Sequence, residues 1–240
     1  MRQLRATIFI LLAAPAAAVE DYDACVAMIS ADPAGAESSA ADWARDGGGW
    51  PARHCRALAL EATGALRAAA IAYSEIGEEA QDLPDEVRVE VFADAARLFL
   101  DIGAVEEAGL MTDAALQLSP RSRTARLANA SLSAEIGDWR AVLSDLDLAV
   151  TASGPDAELL VLRATAKRRL NDQVGARADA KWALELAPED PAVWLELGET
   201  EAALGNRRAA NAAWLTTIDL AGETGLAEIA RRKLQRLAAE

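Results

Sequence analysis

From about residue 50 onward, apolar and small side chains recur at three- and four-residue spacing, in runs broken at near-regular intervals by Gly or Asn. A period of 3.6 with short breaks predicts amphipathic helices joined by tight turns. The stretch from Trp194 to Trp214, WLELGETEAALGNRRAANAAW, shows the unit: a bulky residue, a Leu-Gly pair, a lone Gly, a run of small residues and a second bulky residue. Shifted back by 34 residues the pattern returns. The turn residue Gly205 falls on Asn171, Gly137 and Gly103, and the small residue Gly198 falls on Ala164, Ala130 and Ala96. Ala210 falls on Ala176, Val142 and Ala108, and Trp194 on Leu160, Arg126 and Phe92. Pro188 and Pro120 close two units, and Pro155 closes a third one residue late. A period held over four units is an array, in which one helical pair cannot bury its own apolar face and stacking supplies the core.

With these residues in view, the chain resembles the tetratricopeptide repeat family, in the exported bacterial form. Residues 191–224 carry the family pattern through Trp194, Leu197, Gly198, Gly205, Ala210 and Trp214. Residues 157–190 carry it through Leu160, Ala164, Asn171, Ala176, Ala183 and Pro188, and residues 89–122 through Phe92, Ala96, Phe99, Gly103, Ala108, Ala115 and Pro120. Residues 123–156 match through Ala130, Gly137, Trp139 and Ala149, with Arg126 and Asn129 where apolar residues are usual. An irregular unit spans about 50–84, with its turn at Gly64 and an aromatic at Tyr73, followed by the acidic stretch EEAQDLPDE. Residues 19–49 read as one further helical pair ending in three glycines. Asp190-Pro191 supplies an N-cap followed by Pro at the first helical position. The expected fold is all-α: a right-handed α-solenoid of about six helix-turn-helix pairs, closed by residues 225–240 as a C-terminal capping helix. In that helix Leu226, Ile229, Leu234 and Leu237 share one face, and Arg231, Arg232, Lys233 and Arg236 lie elsewhere. A basic docking helix is the alternative reading of the same segment.

The ends and the charge alter the picture. Arg2 and Arg5, the apolar stretch 6–14 and the small residues Ala16, Ala17 and Ala18 have the layout of a secretory signal over residues 1–18. Its apolar run is shorter than the roughly 20 residues a bilayer span needs. The alternative is an N-terminal helix of a cytosolic protein. The expected location is the bacterial periplasm, with no integral membrane segment in the mature chain. Loss of the leader removes two of 24 basic residues against 38 acidic ones, leaving a net charge of −16. Such a chain is repelled by nucleic acid and anionic lipid, so neither is an expected partner. Cys25 and Cys55 are the two cysteines, and an even pair in an exported protein reads as a disulfide; in the cytosol the same pair would be two buried thiols.

Catalytic patterns are missing from the sequence. His54 adjoins Cys55 in WPARHCRA, but neighbours on a helix do not face each other. Gly47-Gly48-Gly49 leads into Trp50-Pro51 without the Lys-Ser/Thr of a phosphate loop, and no pattern for a serine hydrolase, zinc protease or calcium loop occurs. No enzyme activity, cofactor or metal is expected. The resemblance instead implies a groove lined by the first helices of successive units, receiving a partner peptide or helix. One column of that groove is Ala93, Leu127, Val161 and Leu195; the next is Arg97, Ser131, Thr165 and Glu199, with Arg168 and Arg169 further along. The apolar column serves equally as a partner site or as core between adjacent helices. These columns lack the Lys and Asn with which some family members grip a C-terminal carboxylate. The expected function is a scaffold or adaptor; a structural component of cell-envelope assembly and an enzyme with an unfamiliar site are the alternatives.

Overall fold

A computed structural model describes residues 21–80 and 82–239. The leader read at 1–18 lies outside the described residues. The described residues form thirteen helices and no strand: α1 (Tyr22–Ile29), α2 (Pro33–Arg45), α3 (Gly49–Ala62), α4 (Leu66–Glu79), α5 (Asp85–Asp101), α6 (Val105–Leu118), α7 (Arg123–Glu135), α8 (Trp139–Ser153), α9 (Ala157–Arg169), α10 (Gln173–Leu186), α11 (Pro191–Ala203), α12 (Arg207–Ala221) and α13 (Gly225–Ala239). The chain divides into two compact units, one ending at Ala72 and one beginning at Tyr73, with the boundary inside α4.

In the C-terminal unit each first helix packs on its own second helix: α5 on α6, α7 on α8, α9 on α10, α11 on α12. It packs as well on neighbouring units, α5 on α7, α9 on α11 and α11 on α13. This is the α-solenoid expected of the 34-residue period. Within its pairs the turn residue is left-handed each time, Gly103 (φ 71), Gly137 (φ 80), Asn171 (φ 67) and Gly205 (φ 77). Asn171 is the non-glycine residue that tolerates this region best, because its short polar side chain bonds locally. The second helices α8 and α10 start on Asp138 and Asp172, whose carboxylates accept the amides of Ala141 and Gly175 at 3.1 and 2.9 Å. Asp190 caps α11 by accepting the Ala192 amide at 2.8 Å, ahead of Pro191.

The small residues of the first helices are all buried: Ala96, Ala130, Ala164 and Gly198. At Gly198 a Cβ would collide with Trp214 Nε1, so the indole of α12 lies directly on the α11 backbone. Trp194 packs against Ala164, Ala176, Ala180, Leu197 and Ala213, bridging two successive units. At the C-terminal end α13 occupies the register of a further first helix. It buries Ala227 and Ala230, and Leu234 and Leu237 pack against the group around Ala210 and Trp214. The segment read as a cap therefore does cover the last apolar face.

Four buried carboxylates, Asp145, Asp179, Glu196 and Glu201, stitch the helices together. Asp145 of α8 is held by Arg126 Nη1 and Asn129 Nδ2, both at 2.6 Å. One period later, Asp179 of α10 takes a bidentate Arg163 at 2.8 Å and Lys167 at 2.7 Å. Glu196 of α11 accepts both nitrogens of the Arg168 fork at 3.0 Å and the Thr165 hydroxyl at 2.8 Å. Glu201 accepts Arg177 at 2.7 Å and Asn206 at 2.6 Å. Arg126 and Asn129, which break the apolar pattern, are thus internal partners of one acid. Burial works against the charge of Arg168, but its bonds to Glu196 outweigh this and raise its pKa. A buried pair is costly to break because the survivor is stranded. Glu196→Ala is expected to lower the unfolding free energy of the C-terminal unit by about 3 kcal/mol in urea titrations, whereas Glu158→Ala, at an exposed pair, is expected to cost under about 1 kcal/mol.

The N-terminal unit has its own staple. α1 packs on α2 and α3, and Cys25 and Cys55 are joined as a disulfide with Cα atoms 6.3 Å apart. That approach is closer than most helix axes allow, and fully buried Ala40 of α2 packs with the two cysteines. Ala24, next to Cys25 in the chain, faces solvent. Beside the bond, the Tyr22 hydroxyl lies 2.7 Å from His54 Nδ1. Burial lowers the His54 pKa. Because the folded state holds this imidazole neutral, its contribution is complete above the ordinary value of about 6.5 and is lost as pH falls from there towards the depressed folded value. Protection factors of residues 22–62, referred to the intrinsic exchange rate at each pH, should therefore fall between pH 7 and pH 5, and His54→Gln should abolish that trend. Reduction should remove about 3–4 kcal/mol from this unit, raising its exchange while α9–α12 stay protected; two free thiols in the unreduced protein by mass spectrometry would contradict the bond.

Candidate interaction cleft

First helices α5 and α7 pack closely, as do α9 and α11, but α7 and α9 stand further apart. A cleft of about 500 Å³ opens along α5, α7 and α9. Its apolar lining is Ala93 and Leu100 from α5, Leu127 and Ala128 from α7, and Leu162 from α9, the last with 37% of its surface exposed. Around them stand Glu90, Asp94, Arg97 and Asp101 from α5, Arg123, Thr124, Ser131 and Glu135 from α7, and Glu158 from α9. Ion pairs span the gap between α7 and α9: Arg123 reaches Asp156 at 2.8 Å and Glu158 at 2.5 Å. The hydrogen bond to Asp156 is the main reason the Arg123 pKa is raised. Burial pushes the Asp156 carboxyl up, but Arg123 and the Leu159 amide outweigh that and leave its pKa lowered. Thr124 donates to Glu90 at 2.7 Å, tying α7 to α5.

The residues read as a partner site divide between this cleft and the interior. Arg97, Leu127 and Ser131 line the cleft. Leu127 is also packed against the core of the α7–α8 pair, so it serves both ends. Val161 packs against Leu160, Ala183 and Val193, between two units. Leu195 packs against Ala210, Trp214 and Ala230, beneath the cap. Thr165 and Arg168 are engaged by Glu196. Glu199 receives Lys233 of α13 at 2.8 Å, at the edge of a second cleft of about 380 Å³ that Arg207, Trp214 and Arg236 also line. Arg169, placed beside Arg168 in the sequence, turns instead over the Trp139 ring, 5.0 Å from its centroid.

Ten residues of the cleft lie outside the columns expected from the sequence: Glu90, Asp94, Leu100, Asp101, Arg123, Thr124, Ala128, Glu135, Glu158 and Leu162. For most of them the signal lies in the register. Glu90, Thr124 and Glu158 form one 34-residue column; Asp94, Ala128 and Leu162 form another, and Asp101 and Glu135 a third. With Arg97 these positions run 90, 94, 97 and 101 down one face of α5, the spacing of a single helical stripe.

No protein-family model and no curated protein sequence matches the chain. Solved structures do. A chain of the APC/C hetero-tetramer Cut9-Hcn1 superposes with a TM-score of 0.70 at 12% identity, covering 91% of this chain; this chain spans 43% of the length of that one. A thermophilic TPR protein in Thermus thermophilus gives a TM-score of 0.64 at 20% identity, over 78% of this chain and 98% of its own. MamA from Desulfovibrio magneticus, from position 41 to its end, gives 0.58 at 16% identity, over 72% of this chain and 96% of its own. At these identities the likeness is one of fold, and the fold is that of tetratricopeptide-repeat proteins.

Proposed function

We propose that this protein is a non-catalytic interaction module, exported to the bacterial periplasm, which holds a segment of a partner protein in the cleft along α5, α7 and α9. The observation that carries the reading is the cleft's make-up. An apolar lining of Leu100, Leu127 and Leu162 sits inside a polar rim on three rigid helices, the arrangement by which an extended or helical segment is gripped. The three neighbours share the fold, and repeat arrays of this kind offer long surfaces rather than enclosed reaction sites. Among the described residues no group of three or more His, Cys, Asp and Glu side chains is placed to hold a metal, and no helix is long and apolar enough to cross a membrane. Export rests on the leader pattern of residues 1–18 and on the cysteine pair.

The test must spare the core. Changing Val161 or Leu195 to Glu would put a charge into inter-helix packing, so loss of binding there would report misfolding. Leu162 is half-exposed in the cleft and is the better probe. A photo-crosslinking benzoylphenylalanine in place of exposed Ser131 is expected to trap a discrete partner in periplasmic extract. Leu162→Glu, with an unchanged circular dichroism spectrum, is expected to reduce that adduct at least tenfold. An adduct that persists undiminished in the folded variant places the partner elsewhere, and recovery of the protein in the cytosol with residues 1–18 intact removes the export step.

A further inference from the structure

The cleft has a sign. Five carboxylates line it, Glu90, Asp94 and Asp101 from α5, Glu135 from α7 and Glu158 from α9, against two guanidiniums, Arg97 and Arg123. Both cations are already engaged. Arg97 lies between Asp94 at 3.5 Å and Asp101 at 3.6 Å on its own helix. Arg123 is held by Glu158 and by Asp156, which brings a further carboxylate to the rim. Glu90 is bonded by the neutral Thr124 hydroxyl, which leaves its charge uncancelled. Glu135 is exposed and has no cationic partner among the described residues.

The spacing of these two acids sets a ruler. Glu135 stands one period after Asp101, so Glu90 and Glu135 are offset along the helix direction by eleven residues of register, or about 16 Å at 1.5 Å per residue. The two acids also stand on adjacent helices, whose axes pack roughly 10 Å apart, so the span is about 19 Å. An extended strand rises about 3.3 Å per residue and returns its side chains to one face every second residue, so the two acids are matched by side chains about six residues apart. Leu127 and Leu162 lie between them.

Resting on the cleft reading above, we infer that the partner segment is cationic: Lys or Arg side chains about six residues apart meet Glu90 and Glu135, and an apolar side chain between them on the same face seats against Leu127 and Leu162. An acidic segment would meet uncancelled negative charge at both ends. With 38 acidic residues against 24 basic ones, the field of the whole chain also steers a basic segment inward.

The probe is a fluorescein-labelled peptide, Lys-Ser-Leu-Ser-Ser-Ser-Lys, whose first, third and last side chains share one face of an extended strand, compared by anisotropy at about 50 mM salt with a counterpart carrying Glu at both ends. The Lys peptide is expected to bind the full exported chain and the Glu peptide to show no binding. The double variant Glu90→Gln, Glu135→Gln, at two exposed positions, is expected to weaken the Lys peptide about tenfold, and 0.5 M salt to weaken it comparably, since exposed pairs are screened. Absence of binding by the Lys peptide, equal binding of the two peptides, or undiminished binding to the double variant overturns the inference. The Ser131 adduct is scored in parallel. An adduct that depends on Leu162 while the peptides fail this pattern discards the charge assignment and keeps the cleft; loss of both discards the cleft.

Discussion

Everything in the C-terminal unit follows from how closely a first helix lets its neighbours approach. At Gly198 the approach is so tight that the Trp214 indole rests on bare backbone, and Ala96, Ala130 and Ala164 provide the same flat surface in the preceding units. Flat surfaces let a 34-residue unit repeat without accumulating gaps, because interiors at organic-crystal density tolerate few voids. Bulky residues can then be spent between units, as Trp194 is. The left-handed turn residue is the matching backbone condition. It reverses the chain within two or three residues, so the second helix starts already beside the first.

Close packing of small residues gives shape without much discrimination, and the buried carboxylates supply what it lacks. An alanine face can slide on another alanine face. Asp179 clasped by Arg163 and Lys167, or Glu196 clasped by Arg168 and Thr165, has a partner at one register only. A slip by one turn would strand a buried charge, a penalty larger than any single methyl contact. The ladder also uses up Arg168, which the sequence offered to a partner. Arg163, Arg168 and Arg177 all face inward to acids.

The fold was legible because it is a periodic property. Gly103, Gly137, Asn171 and Gly205 announce the turns, and a missing glycine at 171 is filled by the residue type that best tolerates the same backbone. The site was legible only in part. The expected apolar column held two residues, Ala93 and Leu127, that line the cleft, while their equivalents Val161 and Leu195 are drawn into packing. Periodicity says which positions are equivalent and leaves open which of them are covered, since coverage depends on how far apart two particular helices stand. The carboxylate ladder was illegible for a related reason. Asp145 on α8 and Arg126 on α7 are nineteen residues apart, and nothing local marks the acid as buried. The disulfide was readable from the number of cysteines and the expected compartment, while the packing around it draws on Ala40, from a helix that carries neither cysteine.

The cleft opens where the repeat departs from its own rule. α8 runs through Ser153, one residue beyond the ends marked by Leu118 of α6 and Leu186 of α10. Gly154, at φ 84, and the late Pro155 then turn the chain into α9. In the same unit Arg126 and Asn129 replace apolar residues and turn to Asp145, which reduces what α7 can offer α9 by packing. Polar links take over: Arg123 reaches across to Asp156 and Glu158 over a distance that side-chain methyl groups would not span. A long guanidinium arm holds two helices together while keeping them apart. Leu162 therefore stays open where its neighbour Val161 is packed between units, and an imperfect repeat leaves the solenoid the open cleft proposed above for a partner.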